Sequence, residues 1–275
     1  MKSKHLIGIS TYAYPFACGN DPDFCPEQPF THFTFLDRAH ELGLKCVQLA
    51  NNLPLDVLDA DDLASLRSLA DEYGILIETG MLGLEPEKIR QNIDIATALG
   101  SPILRCVPGV LEEDPVTIDD VYEVLKDFLP LLKERNIIFA VENHDKFTAP
   151  EHERLMERLG DEHFGLVLDT TNSLSIEEPV EKLLEHMAKY CVCLHFKDYQ
   201  IHRFNRGRGL QITGQCIGKG RLDIPRFFDG LLSRAERDFN IILESWMTPC
   251  GTLEQTLAQE DEWVRIGIDY LRKMF

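Results

Sequence analysis

Four residues that can bind a cation each follow a short apolar run in this chain. Glu142 follows IIFAV, Asp169 lies at the end of FGLVLD, His195 follows VCL and Glu244 follows IIL. Three carboxylates and one imidazole suit a hard or borderline divalent ion such as Mn2+, Mg2+ or Co2+. Taken singly, an acid at a strand end is more often a helix cap or a salt-bridge partner, and a lone histidine is more often a hydrogen-bonded core residue. The repetition over four consecutive runs points instead to one shared site.

Side chains alternate along a strand, so the phase of each run is a check. Ile138, Ala140 and Glu142 share one face of their run, as do Gly165, Val167 and Asp169 of the next. Cys193, His195 and Lys197 share a face, and so do Ile242, Glu244 and Trp246. In each case the polar group tops a column of small or apolar residues. The other faces carry Phe139, Val141, Leu166, Leu168, Leu194, Phe196, Ile241 and Leu243, bulky residues suited to helix packing.

The elements that must position these groups number eight strand-like runs: 6–10, 46–50, 75–80, 103–107, 137–143, 164–170, 192–198 and 240–246. Nearly continuous apolar runs of this length are what strands buried on both faces look like. Amphipathic helical patterns cover 61–74, 86–100, 117–136, 178–190, 224–238 and 252–274. The first two end in Gly, and Pro130 is expected to kink the third. Strands alternating with helices give an α/β fold, the (β/α)8 TIM barrel, with 1–275 as a single domain and the site on its C-terminal rim. A doubly wound open sheet is the alternative, but STYAYPFACG (10–19) lacks the Gly-rich turn expected after its first strand. The longest connections, 11–31 and 199–223, would emerge on the same rim, where long loops tend to be functional.

Lys and Arg total 28 against 46 Asp and Glu, a formal net charge of −18 over 275 residues. Such a surface repels phosphate backbones and anionic membranes, so neither nucleic acid nor membrane is an expected partner. No secretory pattern and no apolar run of bilayer length is visible, and the cytoplasm is the expected location. The eight cysteines show no metal or disulfide spacing. Cys46, Cys106, Cys191 and Cys193 read as small core residues.

VENH (141–144), LDTTNS (168–173), LHFKD (194–198), IGKGRLD (217–223) and ILESW (242–246) resemble the xylose isomerase-like TIM barrel superfamily. The likeness is to its sugar phosphate isomerase/epimerase, tagatose epimerase, inosose dehydratase and endonuclease-IV-like members. It is close over the C-terminal half and architectural over the N-terminal half. It implies one divalent metal held by Glu142, Asp169, His195 and Glu244, with Mn2+ first and Mg2+, Co2+ or Zn2+ as alternatives. It also implies a substrate-binding Arg beyond the strand-seven His, for which Arg203 is the nearest match. Gln48 stands where many relatives carry an acid, and few of the nine histidines fall at strand ends. Both departures count against a multi-metal nuclease site.

The chemistry implied is carbohydrate metabolism by a metal-dependent isomerase or epimerase: Glu142 and Glu244 remove and return a proton beside a carbonyl, through a metal-stabilised enediolate. A dehydratase (a lyase) acting on a cyclic polyol ketone or a dehydroshikimate-like acid is the runner-up, and a phosphodiesterase is distant. The partner is then a small carbohydrate or polyol-derived substrate; a homo-oligomer stays open. His144 could meet a substrate hydroxyl, Lys197 an enolate oxygen, and Tyr12, with Tyr14 and Phe16, a sugar face. Asn172 could meet the substrate, and Asn172 and Asn143 could orient ligands. Arg105, a cation in an apolar strand, needs a buried anion: Glu78 is one candidate and a substrate carboxylate or phosphate the other. Arg203, Arg206 and Arg208 could steer an anion or be a solvated run. The glycines of GKG (218–220) suit close backbone approach.

Overall fold

A computed structural model describes residues 5–109, 116–204 and 207–275. Arg206 lies outside the described residues. Eight parallel strands close into a barrel: β1 (Ile7–Ser10), β2 (Cys46–Leu49), β3 (Leu76–Leu82), β4 (Ile103–Val107), β5 (Ile138–Glu142), β6 (Phe164–Asp169), β7 (Cys191–Phe196) and β10 (Asn240–Leu243). They follow one another in chain order around the ring, with β10 closing between β7 and β1. All eight runs read from the sequence are therefore barrel strands, within a residue or two at most ends.

Outside the ring lie α1 (His32–Glu41), α2 (Ala60–Tyr73), α3 (Pro86–Leu99), α4 (Ile118–Leu125), α5 (Leu129–Arg135), α6 (Ala149–Leu159), α7 (Val180–His186), α8 (Ile224–Leu232) and α9 (Leu253–Met274). The pattern at 117–136 is two helices, not one kinked helix: Pro130 lies in the first turn of α5, which follows a 3-10 turn at Lys126–Phe128. Proline fits a first helical turn, where its missing N–H costs nothing. The helices expected at 178–190 and 224–238 are shorter, and α1 and α6 went unread. The helix starts are marked in the sequence by capping boxes, Thr117 with Asp120 before α4 and Thr252 with Gln255 before α9.

The phase argument holds. Cys46, Ile103, Ala140, Val167, Val192, Cys193 and Ile242 form a cluster inside the barrel, while Phe139, Val141, Leu166, Leu168, Leu194, Phe196, Ile241 and Leu243 pack with the helices. Between β6 and β7 the register slips: Leu166 pairs with Cys191 but Val167 with Cys193. Val192 is the extra residue of this bulge. Gly165 makes room for it, since a Cβ there would lie 2.8 Å from a Val192 methyl. After the slip, Asp169 stands level with His195, and Ile242 with His195 from the other side. Glu142, Asp169, His195 and Glu244 thus reach the C-terminal rim together.

The connection at 199–223 contains an antiparallel hairpin, β8 (Asp198–Arg203) with β9 (Leu210–Gln215). Its base is held by Asp198, whose carboxylate accepts from the backbone N–H of Gly218, Gly220 and Leu222 at 2.9–3.1 Å. A Cβ on Gly220 would fall 2.0 Å from that carboxylate, so the GKG glycines do serve close approach. Among the described residues no helix is long and apolar enough to cross a membrane. All eight cysteines are free, and the four strand cysteines are buried.

Candidate metal centre

Glu142, Asp169 and His195, all buried, each offer an atom within 4.8 Å of the others, a set able to chelate a divalent metal ion. His195 Nδ1 is 3.2 Å from Glu142 Oε1, 3.8 Å from Asp169 Oδ2 and 3.4 Å from Glu244 Oε1. Glu244 is not one of that mutually close set, but its Oε1 faces the same nitrogen of His195. Asp169 Oδ1 is occupied by the N–H groups of Thr171 and Asn172 at 2.8 and 2.9 Å, which leaves Oδ2. His195 Nε2 meets Gln48 Oε1 at 2.7 Å, which leaves Nδ1. Arg105 takes Glu142 Oε2, and Lys197 takes Glu244 Oε2 at 2.9 Å.

His195 Nδ1 and Glu244 Oε1 are buried without a hydrogen-bond partner, and Asp169 Oδ2 has only its 2.7 Å ion pair with Lys197. Buried polar atoms are rarely left unmatched, and two such atoms beside a carboxylate oxygen held only by an ammonium are what a cation would satisfy. The donor set, oxygen with one imidazole, fits Mn2+ or Mg2+ better than a thiolate-seeking ion.

Electrostatics favour the charged forms. Burial pushes Glu142 up, but the Arg105 guanidinium, then His195, outweigh it and hold the carboxyl well below the usual range. Glu244 is likewise lowered, with His195 and Lys197 overcoming burial. Burial would lower His195, yet Glu142 and Glu244 raise it. Carboxylates that draw a proton to Nδ1 would equally draw a metal ion.

Above the cluster is a cavity of about 240 Å³ lined by Tyr12, Asn51, Leu82, Arg105, Val107, Glu142, His144, Asn172, Lys197, Glu244 and Trp246. Five of the six expected substrate contacts are here: Tyr12, Arg105, His144, Asn172 and Lys197. Arg203 is not. It is exposed at the end of β8, outside the lining. Nor do Tyr14 and Phe16 reach the cavity; Tyr14 is buried and donates to Asp261 at 2.7 Å. Arg105 pairs with Glu142, not Glu78, because Glu78 sits lower in the barrel and is taken by Gln48 and Asn240. Arg105 also donates to Asn51, whose amide donates to Tyr12. Asn172 donates to Glu142 Oε1 at 2.8 Å, and Asn143 exchanges hydrogen bonds with the Asp169 backbone. Asn51 and the apolar Leu82 and Val107 went unread, since nothing in their types marks them. A larger cavity of about 530 Å³ lies against α7 and α8 and is lined by none of Glu142, Asp169 and His195.

The model of the xylose isomerase-like TIM barrel family matches residues 36–274. The chain belongs to this family. Among curated members, the 3-oxo-isoapionate decarboxylase of Pectobacterium atrosepticum is 26% identical over 266 residues, 96% of this chain and 94% of that protein. A D-psicose 3-epimerase from Clostridium cellulolyticum, solved with D-tagatose, superposes with a TM-score of 0.72 at 14% identity, covering 98% of each chain. A family barrel from Mycobacterium smegmatis, solved in complex with magnesium, gives 0.68 at 14%, covering 97% of this chain and 98% of that one. At these identities the structural likeness is one of fold.

Proposed function

We propose that this chain is a divalent-metal-dependent isomerase or epimerase of a small sugar or sugar-derived ketone. The observation that carries it is the placing of Glu142 and Glu244 in one cavity wall, on either side of His195, with one oxygen of each facing the same point. Glu142, Asp169, His195 and Glu244 would hold the metal. When bound, the ion polarises a carbonyl and acidifies the neighbouring C–H. One glutamate accepts that proton and the other delivers a proton to the opposite face, which inverts the carbon. Arg105 and Lys197 favour the ionised form of the glutamate that accepts the proton, and the other glutamate must take up a proton from solvent before it can deliver one. Trp246 and Tyr12 bound the sugar, and about 240 Å³ limits it to a small molecule.

A second reading is favoured by charge. Three carboxylates face two buried cations, Arg105 and Lys197, so a dication leaves one positive charge over when His195 is neutral. Desolvated charge seeks balance, and a substrate carboxylate would supply it. The decarboxylase relative, which acts on an oxo acid by its name, agrees. On such a substrate the C–C bond to the carboxylate breaks, its electron pair passes toward the neighbouring carbonyl, CO2 leaves, and a glutamate or His144 protonates the carbon. This is a lyase in the same site, with no abstraction of a C–H proton.

The test is solvent deuterium incorporation by NMR into ketoses, cyclic polyol ketones and 3-oxo sugar acids, with Mn2+-loaded and EDTA-stripped protein. Metal-dependent exchange beside a ketose carbonyl supports the epimerase. Release of CO2 from an oxo acid selects the lyase. Neither, with Mn2+ bound, contradicts both readings.

A further inference from the structure

Below the metal centre, a file of buried polar side chains runs down the barrel axis. His195 on β7 meets Gln48 on β2 at 2.7 Å. Gln48 Nε2 donates to Glu78 Oε2 on β3 at 3.0 Å. Asn240, at the foot of β10, donates its amide to Glu78 Oε1 at 2.6 Å. Gln48, Glu78 and His195 are fully buried, beside Cys46 and Cys193. Apolar residues would fill this space without the cost of burying a carboxylate.

We infer that Gln48 and Glu78 are positioning residues that select the His195 tautomer able to bind a divalent cation. An amide has one accepting end and one donating end. Both Glu78 oxygens face amide donors, so Glu78 accepts on both sides. Gln48 must then turn its nitrogen to Glu78 and its oxygen to His195. That oxygen requires a hydrogen on Nε2, which leaves Nδ1 bare toward Glu142, Asp169 and Glu244. A reversed Gln48 would set its NH2 against Nε2, move the hydrogen to Nδ1 and close the nitrogen to a metal. Tying the outer nitrogen of a metal-binding imidazole also fixes its ring and raises its basicity. Gln48 thus does by relay what a carboxylate on β2 would do directly; burial raises the Glu78 carboxyl, and the Asn240 and Gln48 amides that donate to it oppose the rise.

The inference rests on the reading of His195 as a metal ligand, and the experiment separates the two. Mn2+ is titrated into the wild type, Glu78→Gln and Gln48→Met, with free Mn2+ read by electron paramagnetic resonance and folding checked by metal-free thermal unfolding. Separately, the wild type with 15N-labelled histidine is examined with Mg2+. The expected result is an Nε2–H tautomer for His195 and Mn2+ affinity weakened roughly 10- to 100-fold in each folded variant. Glu78→Gln keeps the size of the side chain, so a space-filling role would leave affinity unchanged. Wild-type affinity in the folded variants overturns the inference alone. An Nδ1–H tautomer in the Mg2+-bound wild type overturns it without any variant. Failure of the wild type to bind Mn2+ overturns the metal reading and this inference with it.

Discussion

Replacing Lys197 by Met should weaken the metal-free fold and tighten metal binding together. The ammonium lies 2.7 Å from Asp169 Oδ2 and 2.9 Å from Glu244 Oε2, and all three groups are buried. Removing one partner of a buried ion pair costs about 3–5 kcal/mol, because the charge left behind has lost both water and partner. For a domain of this size, 1 kcal/mol corresponds to roughly 2–4 °C in Tm, so the metal-free variant should melt about 10 °C lower. A dication at Asp169 and Glu244 replaces the missing charge. Whatever part of the cost it restores must appear as tighter binding, by linkage. Restoring about 2 kcal/mol is roughly 30-fold in Kd. Thermal unfolding with and without Mn2+, together with a direct Mn2+ titration, measures both sides. An unchanged metal-free Tm, or weaker Mn2+ binding in the variant, would refute the idea that Lys197 and the ion share these carboxylates.

Glu142→Gln and Glu244→Gln should each lower kcat by roughly 10²–10⁴-fold while the circular dichroism spectrum stays that of the wild type; near-full activity in either variant would remove the two-carboxylate mechanism. Mn2+ at about 100 times its Kd should add about 2.7 kcal/mol of stability, seen as a rise of several degrees in Tm. EDTA should reverse that rise, and Asp169→Asn should not show it. Glu260 on α9 accepts from the N–H groups of Phe16 and Ala17 at 2.8 and 3.0 Å, and burial pushes its carboxyl from 4.5 up to about 7. The folded state then keeps a proton that the unfolded chain has released. Its contribution, roughly 3 kcal/mol, is present below pH 4.5 and is lost as pH rises toward 7. Glu260→Gln should flatten the decline of Tm between pH 5 and 7.5; a slope equal to that of the wild type would show that Glu260 does not titrate there.

The eight barrel strands and the clustering of Glu142, Asp169 and His195 were legible because period-2 alternation marks which face of a buried strand is inward. What the alternation does not carry is level. Arg105 pairs laterally with Gly80 and Ala140, so Glu142 lies two residues above it on β5 and Glu78 two below on β3. That vertical offset decides its partner, and no strand reveals its stagger alone. Gln48 was noted only for lacking a charge. Its contact with His195 spans 147 residues and exists because the barrel closes. The hairpin at 198–215 read as a loop because its basic and Gly residues hide the alternation, and Leu210 and Ile212 are exposed rather than packed.

The central claim is that Glu142, Asp169, His195 and Glu244 hold one divalent ion. Diffraction from crystals grown with Mn2+, recorded at the manganese edge, tests it directly. The account predicts a single anomalous peak at roughly 2.0–2.4 Å from Asp169 Oδ2, His195 Nδ1 and the Oε1 atoms of Glu142 and Glu244. No peak there, with Lys197 still the sole cation on Asp169 Oδ2, would contradict it.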